Sequence, residues 1–473
     1  MVRRNTLDMT QGPIVKKLFA FAIPVLFTLV LQQLYTLADR AVVGQFAKNG
    51  DIALAAIGAT SAITAMIVNM SNGLASGLTV RCANLKGAND ETLLRKSMHT
   101  GVLLSLVAGF VLGVIGIVVS KPLLQLLDTP ESILEKSTLY LQVYFAGFPA
   151  TVIYNFGAAI LRSFGDAKRP MYILLFSGIL NIALNLILVI VCKMDVAGVA
   201  IATAAAQTFA TLVVLRILFS KNDAYCLSFK KLRFHGPSLK VIVRIGIPNG
   251  INGILFSLSN MIIQSSINSF DNTAIIAGKT AAQDVASLIY QIIHAFALAC
   301  VSFSGQCFGA KKYKRIDKLT VQSVLSCGAV VAVMCTFATV FSDFCIGIFN
   351  SKPEVIEAGR NLMLILIWSY LLYLISDLVL SCTRGFGKSL SVTIINVVAL
   401  LAPRLIWIWF FFPFHKTIEY LYWCYPISYV ISSIAQIIYY ILLRKKLDRK
   451  LAAEQAAAQL PTEQAPAEQP SAI

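Results

Sequence analysis

Twelve apolar stretches, each long enough to cross a bilayer, follow one another almost end to end in this chain. A helical crossing takes about 20 apolar residues. No water in the hydrocarbon pairs the backbone groups, so such stretches close their hydrogen bonds internally as helices. The expected spans are about 14–38, 52–80, 97–120, 134–160, 170–192, 196–219, 240–268, 274–304, 319–346, 355–382, 390–413 and 420–443. Only 13% of the residues are charged, against about 25% in soluble domains. The expected fold class is therefore an all-α polytopic membrane protein with twelve transmembrane helices.

The net charge of +17 sits in the connections between the apolar runs. Alternate connections are rich in Lys and Arg: Arg81 and Lys86, Arg162 and Lys168, "GAKKYKRIDK" at 309–318, "RKKLDRK" at 444–450. The others hold little more than Lys48, Lys121, Lys193, Lys352 and Lys416. The positive-inside rule places the rich set and both termini in the cytoplasm. No basic patch is interleaved with exposed aromatics, so nucleic acid is excluded as a partner. The lipid bilayer is the expected environment, in a plasma (inner) membrane. The ten cysteines form no CxxC pair and read as small buried apolar residues. The polar start "MVRRNTLDMTQGP" does not read as a cleaved signal peptide.

The chain repeats itself. "ILRSFGDAK" at 160–168 returns as "SCTRGFGKS" at 381–389, with Arg162 and Arg384 separated by 222 residues. Gly87-Ala88 and Gly309-Ala310 keep the same spacing, and Pro24 and Pro248 stand 224 apart. Two six-helix lobes are expected, at 14–219 and 239–443, with a short cytoplasmic N-terminus at 1–13. A polar, basic linker at 220–238 joins the lobes. A basic and then low-complexity tail at 444–473, disordered or weakly helical, closes the chain. An even number of spans per lobe makes the repeat parallel, a known transporter plan.

The stretch "LQQLYTLADRAVVGQF" at 31–46 places a polar stripe in the first span. At 100° per residue, Gln32, Tyr35, Thr36 and Asp39 fall along one helix face. Facing lipid, Asp39 would cost roughly 2.5–3.5 kcal/mol near the bilayer centre. Facing a cavity, the carboxylate binds a proton or a cation in competition, as an antiporter requires. The alternative is that Asp39 sits at the outer interface, ends the helix there or pairs with Arg40. It lies about 33 Å of helix beyond Lys17 at 1.5 Å per residue.

These residues carry a resemblance over about 10–445. "FAIPV…LQQLYTLADRAVVGQF", the paired "GA" loops, "LRSFGDAK" with "TRGFGKS", "GILNIALN" and "VAGVAIAT" together resemble the multidrug and toxic compound extrusion family. The resemblance implies a two-lobed, twelve-helix fold that exports amphipathic, often cationic compounds against H⁺ or Na⁺, with no cofactor. It implies a coupling-ion site at Asp39, Asn181 and Thr203. Many members carry an acid where this chain has Asn185, a departure that leaves one N-lobe carboxylate for coupling. The amides of Asn181 and Asn185, four residues apart, present oxygens that complete a Na⁺ shell. The protein is expected to act as a monomer, without a bound metal beyond Na⁺ at Asp39.

Other polar residues inside spans are candidates by default. Gln264, Gln283, Asp284 and Asp377 are candidate cavity residues. Asp377 is either a second cation site or a structural partner of Arg404. His294 reads as a buried histidine or a proton relay. Arg162 and Arg384 read as ties that fasten loops. Pro24 is a candidate hinge, or a static kink. The cluster "WIWFFFPF" at 407–414 reads as an interfacial belt. No HExxH pattern occurs, and the phosphate-loop pattern that "RGFGKS" suggests would need Gly where Cys382 stands. An enzyme is therefore not expected. The alternative to an antiporter is a flippase for lipid-linked saccharide or another lipid.

Overall fold

In the computed structural model, which describes residues 7–47, 50–220, 225–268, 270, 273–348 and 352–459, twelve helices are long and apolar enough to span a bilayer. The first six are α1 (Ile14–Phe46), α2 (Gly50–Gly87), α3 (Glu91–Leu126), α4 (Glu131–Ser163), α5 (Lys168–Val191) and α6 (Asp195–Leu218). The second six are α7 (Gly236–Asn268), α8 (Thr273–Gly309), α9 (Tyr313–Val340), α10 (Pro353–Arg384), α11 (Ser389–Phe414) and α12 (Cys424–Gln459). No strand occurs among the described residues.

Local chemistry sets several boundaries. The Asp90 carboxylate accepts from the Leu93 amide at 2.9 Å and caps α3, satisfying a donor that the helix start leaves free. Pro353 opens α10, where its missing N–H costs nothing. Helix α1 runs through Asp39 to Phe46, so Asp39 does not end it. Helix α12 continues through 444–459, rather than giving way to the expected tail at 444. Ala, Gln, Lys and Arg there favour helix, and Arg444 meets Asp448 at 3.0 Å one turn on. Residues 460–473 of that tail lie outside the described residues.

The repeated landmarks share backbone geometry. Asn89 and Lys311 adopt φ of +57° and +55°. Gly165 and Gly387 adopt +85° and +76°. Each pair keeps the spacing of 222 residues, so the same left-handed turn follows the same span in both halves.

Two large apolar clusters form. One draws on α2 to α6. The other draws on α8, α9, α10 and α12, and takes in the start of α1 through Leu18, Phe21 and Val25. The far part of α1 instead meets α5 and α6 around Asp39. Helix α1 thus bridges both halves, and Pro24 lies in the part packed on the second of these clusters.

At the end carrying the Lys- and Arg-rich connections, here the basic end, the halves touch backbone to backbone. A Cβ on Gly87 would stand 1.9 Å from the Gln306 carbonyl, and one on Gly309 the same 1.9 Å from the Asn84 carbonyl. No side chain fits either place, which explains the paired "GA" loops. The segment before α1 straps over this seam. Met9 N donates to Gln306 Oε1 at 3.1 Å, and Gln306 Nε2 donates to the Ser163 carbonyl at 2.8 Å. Arg315 Nη2 donates to the Gln11 and Gly12 carbonyls, each at 2.7 Å.

Candidate functional site

A cavity of about 590 Å³ lies between the two halves and draws its walls from both. Pockets of roughly 300–1,000 Å³ suit drug-sized ligands. Gln32, Tyr35, Thr36 and Asp39 all line it, so the stripe on α1 faces protein and cavity. Gly178 of α5 makes room for the Tyr35 ring: a Cβ there would overlap it at 1.8 Å. The Tyr35 hydroxyl donates to the Leu174 carbonyl beside it.

Asp39 sits in a polar shell built by α5 and α6. Asn185 Nδ2 donates to Asp39 Oδ1 at 2.5 Å, and Thr203 Oγ1 donates to Asp39 Oδ2 at 3.3 Å. Asn185 Nδ2 also reaches Asn181 Oδ1 at 3.3 Å, and Asn181 Nδ2 donates to Thr203 Oγ1 at 3.4 Å. Asn185 is fully buried, and its Oδ1 has no hydrogen-bond partner. Asp39 and Arg40 form no ion pair, and among the described residues no side-chain cation lies within salt-bridge distance of Asp39. Immediately beyond Asn185, residues Ile187–Val191 widen into a π-helical turn, a feature common at functional sites. The four residues thus gather carboxylate, amide and hydroxyl oxygens, the hard donors that suit a small cation.

Three expected cavity residues lie elsewhere. Gln264, Gln283 and Asp284 are not among the lining residues. Lys279 Nζ donates to Gln264 Oε1, and the cations acting on Asp284 are Lys279 and Arg40. Lys279, on α8, is thus the cation that Gln264 and Asp284 share.

Asp377 lines the cavity, but its pairing with Arg404 does not form. Arg404 is fully buried. Its guanidinium carbon lies 4.8 Å from the Tyr425 ring centre, 5.0 Å from Tyr429 and 5.6 Å from Phe256. Arg404 Nε donates to Ser428 Oγ at 3.1 Å, while both terminal nitrogens have no hydrogen-bond partner. The faces of aromatic rings, which attract a cation, take the place of a carboxylate. Tyr425 and Tyr429, four residues apart, share one face of α12, a spacing that signals this cage in the sequence.

Arg162 and Arg384 also line the cavity, and among the described residues no hydrogen bond or ion pair fastens either to a loop. The expectation that they tie down loops is corrected. His294 lines the wall too, stacked on Tyr290 with centres 6.0 Å apart. Asn69, Asn155, Gln207, Asn249 and Asn252 line the cavity as well. Their signal was a polar side chain in mid-span, which the reading of ionisable groups passed over. Pro24 lies within an unbroken α1, and Thr28 Oγ1 donates to its carbonyl at 2.9 Å. Of the aromatic cluster, Trp409, Phe410, Phe411 and Phe414 are exposed on the outer surface, where a lipid belt would meet them.

The chain matches the family MatE over residues 24–187 and again over 248–407. It is 28% identical over 389 residues to the probable multidrug resistance protein YoeA of Bacillus subtilis (strain 168), covering 80% of this chain and 83% of that protein. Among solved structures, that of MATE in complex with MaL6 superposes with a TM-score of 0.86 at 20% identity, over 93% of this chain and 98% of the other. An outward-facing multidrug resistance MATE family transporter of the MOP superfamily gives 0.85 at 21% identity, over 94% of this chain and 100% of the other. At those identities the two structures show a shared fold. With each half of the molecule matched in turn, the chain belongs to the MatE family, the multidrug and toxic compound extrusion transporters.

Proposed function

We propose that this protein exports amphipathic small molecules in exchange for H⁺ or Na⁺, by alternating access of two lobes at 14–219 and 239–443. The observation that carries the reading is Asp39: a carboxylate on a cavity wall, held by amide and hydroxyl donors, with no cation within salt-bridge distance among the described residues. A proton or Na⁺ then competes with cationic cargo for one charge. Asn181, Asn185 and Thr203 complete the ion shell, and Asn185 Oδ1 is the acceptor left open for it. Gln32, Tyr35, Thr36 and Asp377 contact cargo.

The basic end is cytoplasmic in this reading, by the positive-inside rule, in a plasma membrane. The sealed seam at Gly87 and Gly309 then closes the cytoplasmic side, which supports an outward-facing state. Pro24 is the proposed hinge, because it lacks the N–H of a backbone hydrogen bond within α1, ahead of the part that meets α5 and α6. The protein works as a monomer, since the cavity is built within one chain. The name of the Bacillus relative supports multidrug cargo over the flippase alternative.

Efflux of a fluorescent lipophilic cation from proteoliposomes tests the proposal, with a pH gradient or a Na⁺ gradient imposed separately. Acceleration by one of them names the coupling ion. No response to either, with protein correctly inserted, overturns coupled efflux and directs the assay to lipid-linked cargo.

A further inference from the structure

The arginines of the repeated motif are the part of the cavity that the coupling site does not use. Arg162 is the penultimate residue of α4 and Arg384 the last of α10. They come from opposite halves, yet both line one cavity.

Two other arginines at the basic end have partners. Arg444 pairs with Asp317 at 2.8 Å, and Arg315 donates to three carbonyls of the N-terminal strap. Among the described residues, Arg162 and Arg384 have no acid within 4.0 Å and no hydrogen bond to the final carbonyls of their own helices. Arg384 Nε is buried without a partner. An unsatisfied buried donor costs free energy and asks for a reason.

The two halves differ one step further along the wall. Seven residues before Arg384 stands Asp377, whose charge acts on it. Seven residues before Arg162 stands Asn155, which is neutral and also lines the cavity. Arg162 therefore has no acid at the matching position of its own helix. The cavity carries Asp39 towards one end and two guanidinium groups at the basic end. At 1.5 Å per residue, Asn185, the partner of Asp39, stands about 25 Å of helix above Lys168, close to the level of Arg162. Guanidinium forks match carboxylate oxygens in pairs, and the unpaired donors are what such a group satisfies.

We infer that Arg162 and Arg384 form an anion subsite at the basic end of the cavity, which holds the carboxylate of an amphipathic cargo. The preferred cargo is then a zwitterion or organic acid rather than a plain cation. The inference rests on the efflux reading for the word cargo, but its test needs no gradient.

Equilibrium binding to the full-length protein in phosphatidylcholine nanodiscs tests it, using rhodamine B and its methyl ester as probes. The two differ by the carboxylate alone. The double variant R162Q/R384Q is expected to weaken binding of the acid at least tenfold and to leave the ester within twofold. The single variants are expected to give smaller losses of the same selectivity, and they carry the test should the double variant fail to fold. R162K is expected to recover part of the loss, because it restores charge without the fork. An equal loss for both probes, or none for the acid, overturns the subsite. Adding phosphatidylglycerol separates the sources of the anion. Unchanged affinity for the acid keeps the subsite with cargo, whereas selective displacement of the acid gives it to a lipid headgroup and overturns the assignment. Because no ion gradient is present, failure here leaves coupled efflux standing, and failure of driven efflux leaves this binding result standing.

Discussion

The two halves of the molecule solve one problem in opposite ways. In the first half, α1, α5 and α6 surround a carboxylate, Asp39, with Asn185 and Thr203. In the second half, α7, α11 and α12 surround a cation, Arg404, with Phe256, Tyr425 and Tyr429. At the spacing that relates Arg162 to Arg384, Thr203 corresponds to Tyr425 and Gln207 to Tyr429. Where the first half holds a carboxylate with no cation of the described chain beside it, the second holds a cation attached to the chain. Repetition of a fold therefore does not repeat its chemistry. The scaffold fixes where a charge sits, and the side chains decide whether it comes from solution.

The sharpest break of this contrast is Asp39→Asn. It keeps the shape of the site and one of the two acceptor oxygens, and removes the charge. Driven efflux is expected to fall at least ~tenfold, the factor that about 1.4 kcal/mol of lost ion affinity produces. A stopped assay with either gradient checks it, and retained driven efflux would place coupling elsewhere.

The tethered cation is tested by size against charge. Arg404→Ala empties an aromatic cage and is expected to cost about 3 kcal/mol or more, as large-to-small core changes do. Arg404→Met keeps most of the volume, leaves no buried counter-charge stranded and is expected to cost under ~1.5 kcal/mol. Thermal unfolding of the purified variants measures both. Equal losses would mean that the charge, rather than the packing, holds the cage.

Asn185→Leu tests whether the second-row amide belongs to the ion shell. It removes both the donor to Asp39 and the open Oδ1. The half-saturating concentration of the coupling ion is expected to rise by roughly tenfold or less, since one neutral ligand is worth about 0.5–1.5 kcal/mol net. An unchanged value removes Asn185 from the shell.

The smallest effect is expected at Asp8 in the strap. Burial pushes its carboxyl up. The Thr10 amide and hydroxyl and the Lys17 and Lys312 cations outweigh that and hold it below the usual carboxylate range. A depressed value means that its contribution is present above the ordinary carboxylate pKa and is lost only as pH falls through the lower one. Asp8→Asn is therefore expected to leave the pH profile of efflux unchanged between about pH 6 and pH 8. A shifted profile would make the strap a pH sensor and weaken the assignment of that role to the region around Asp39.

The readings that succeeded and failed at sequence level divide by what each needed to know. Helix content was legible because a span is a local property: 20 apolar residues need no partner to be recognised. The stripe on α1 was legible because a carboxylate in such a span has few tolerable surroundings. Asp284 and Asp377 look alike on that ground, yet the charge of Lys279 acts on one and the other lines the cavity. Arg162 and Arg384 were hidden by their position, because basic residues at span ends are what topology alone demands. Arg404 invited pairing with an acid one helix away, and the rings on α12 were the partner instead.

From its amino acids alone, this protein was set to be a twelve-helix bundle with a repeated half, a basic end and an acid in its first span. Those properties follow from composition and periodicity within single segments. Which faces meet lipid and which meet the cavity was decided only in the assembled bundle. In a membrane the two exteriors of a helix are equally apolar, since lipid tails resemble leucine as closely as a protein core does. Hydropathy therefore carries no inside and outside. Only the close approach of helices, as where Gly178 admits the Tyr35 ring and Gly87 meets Gln306, turns scattered polar residues into one site.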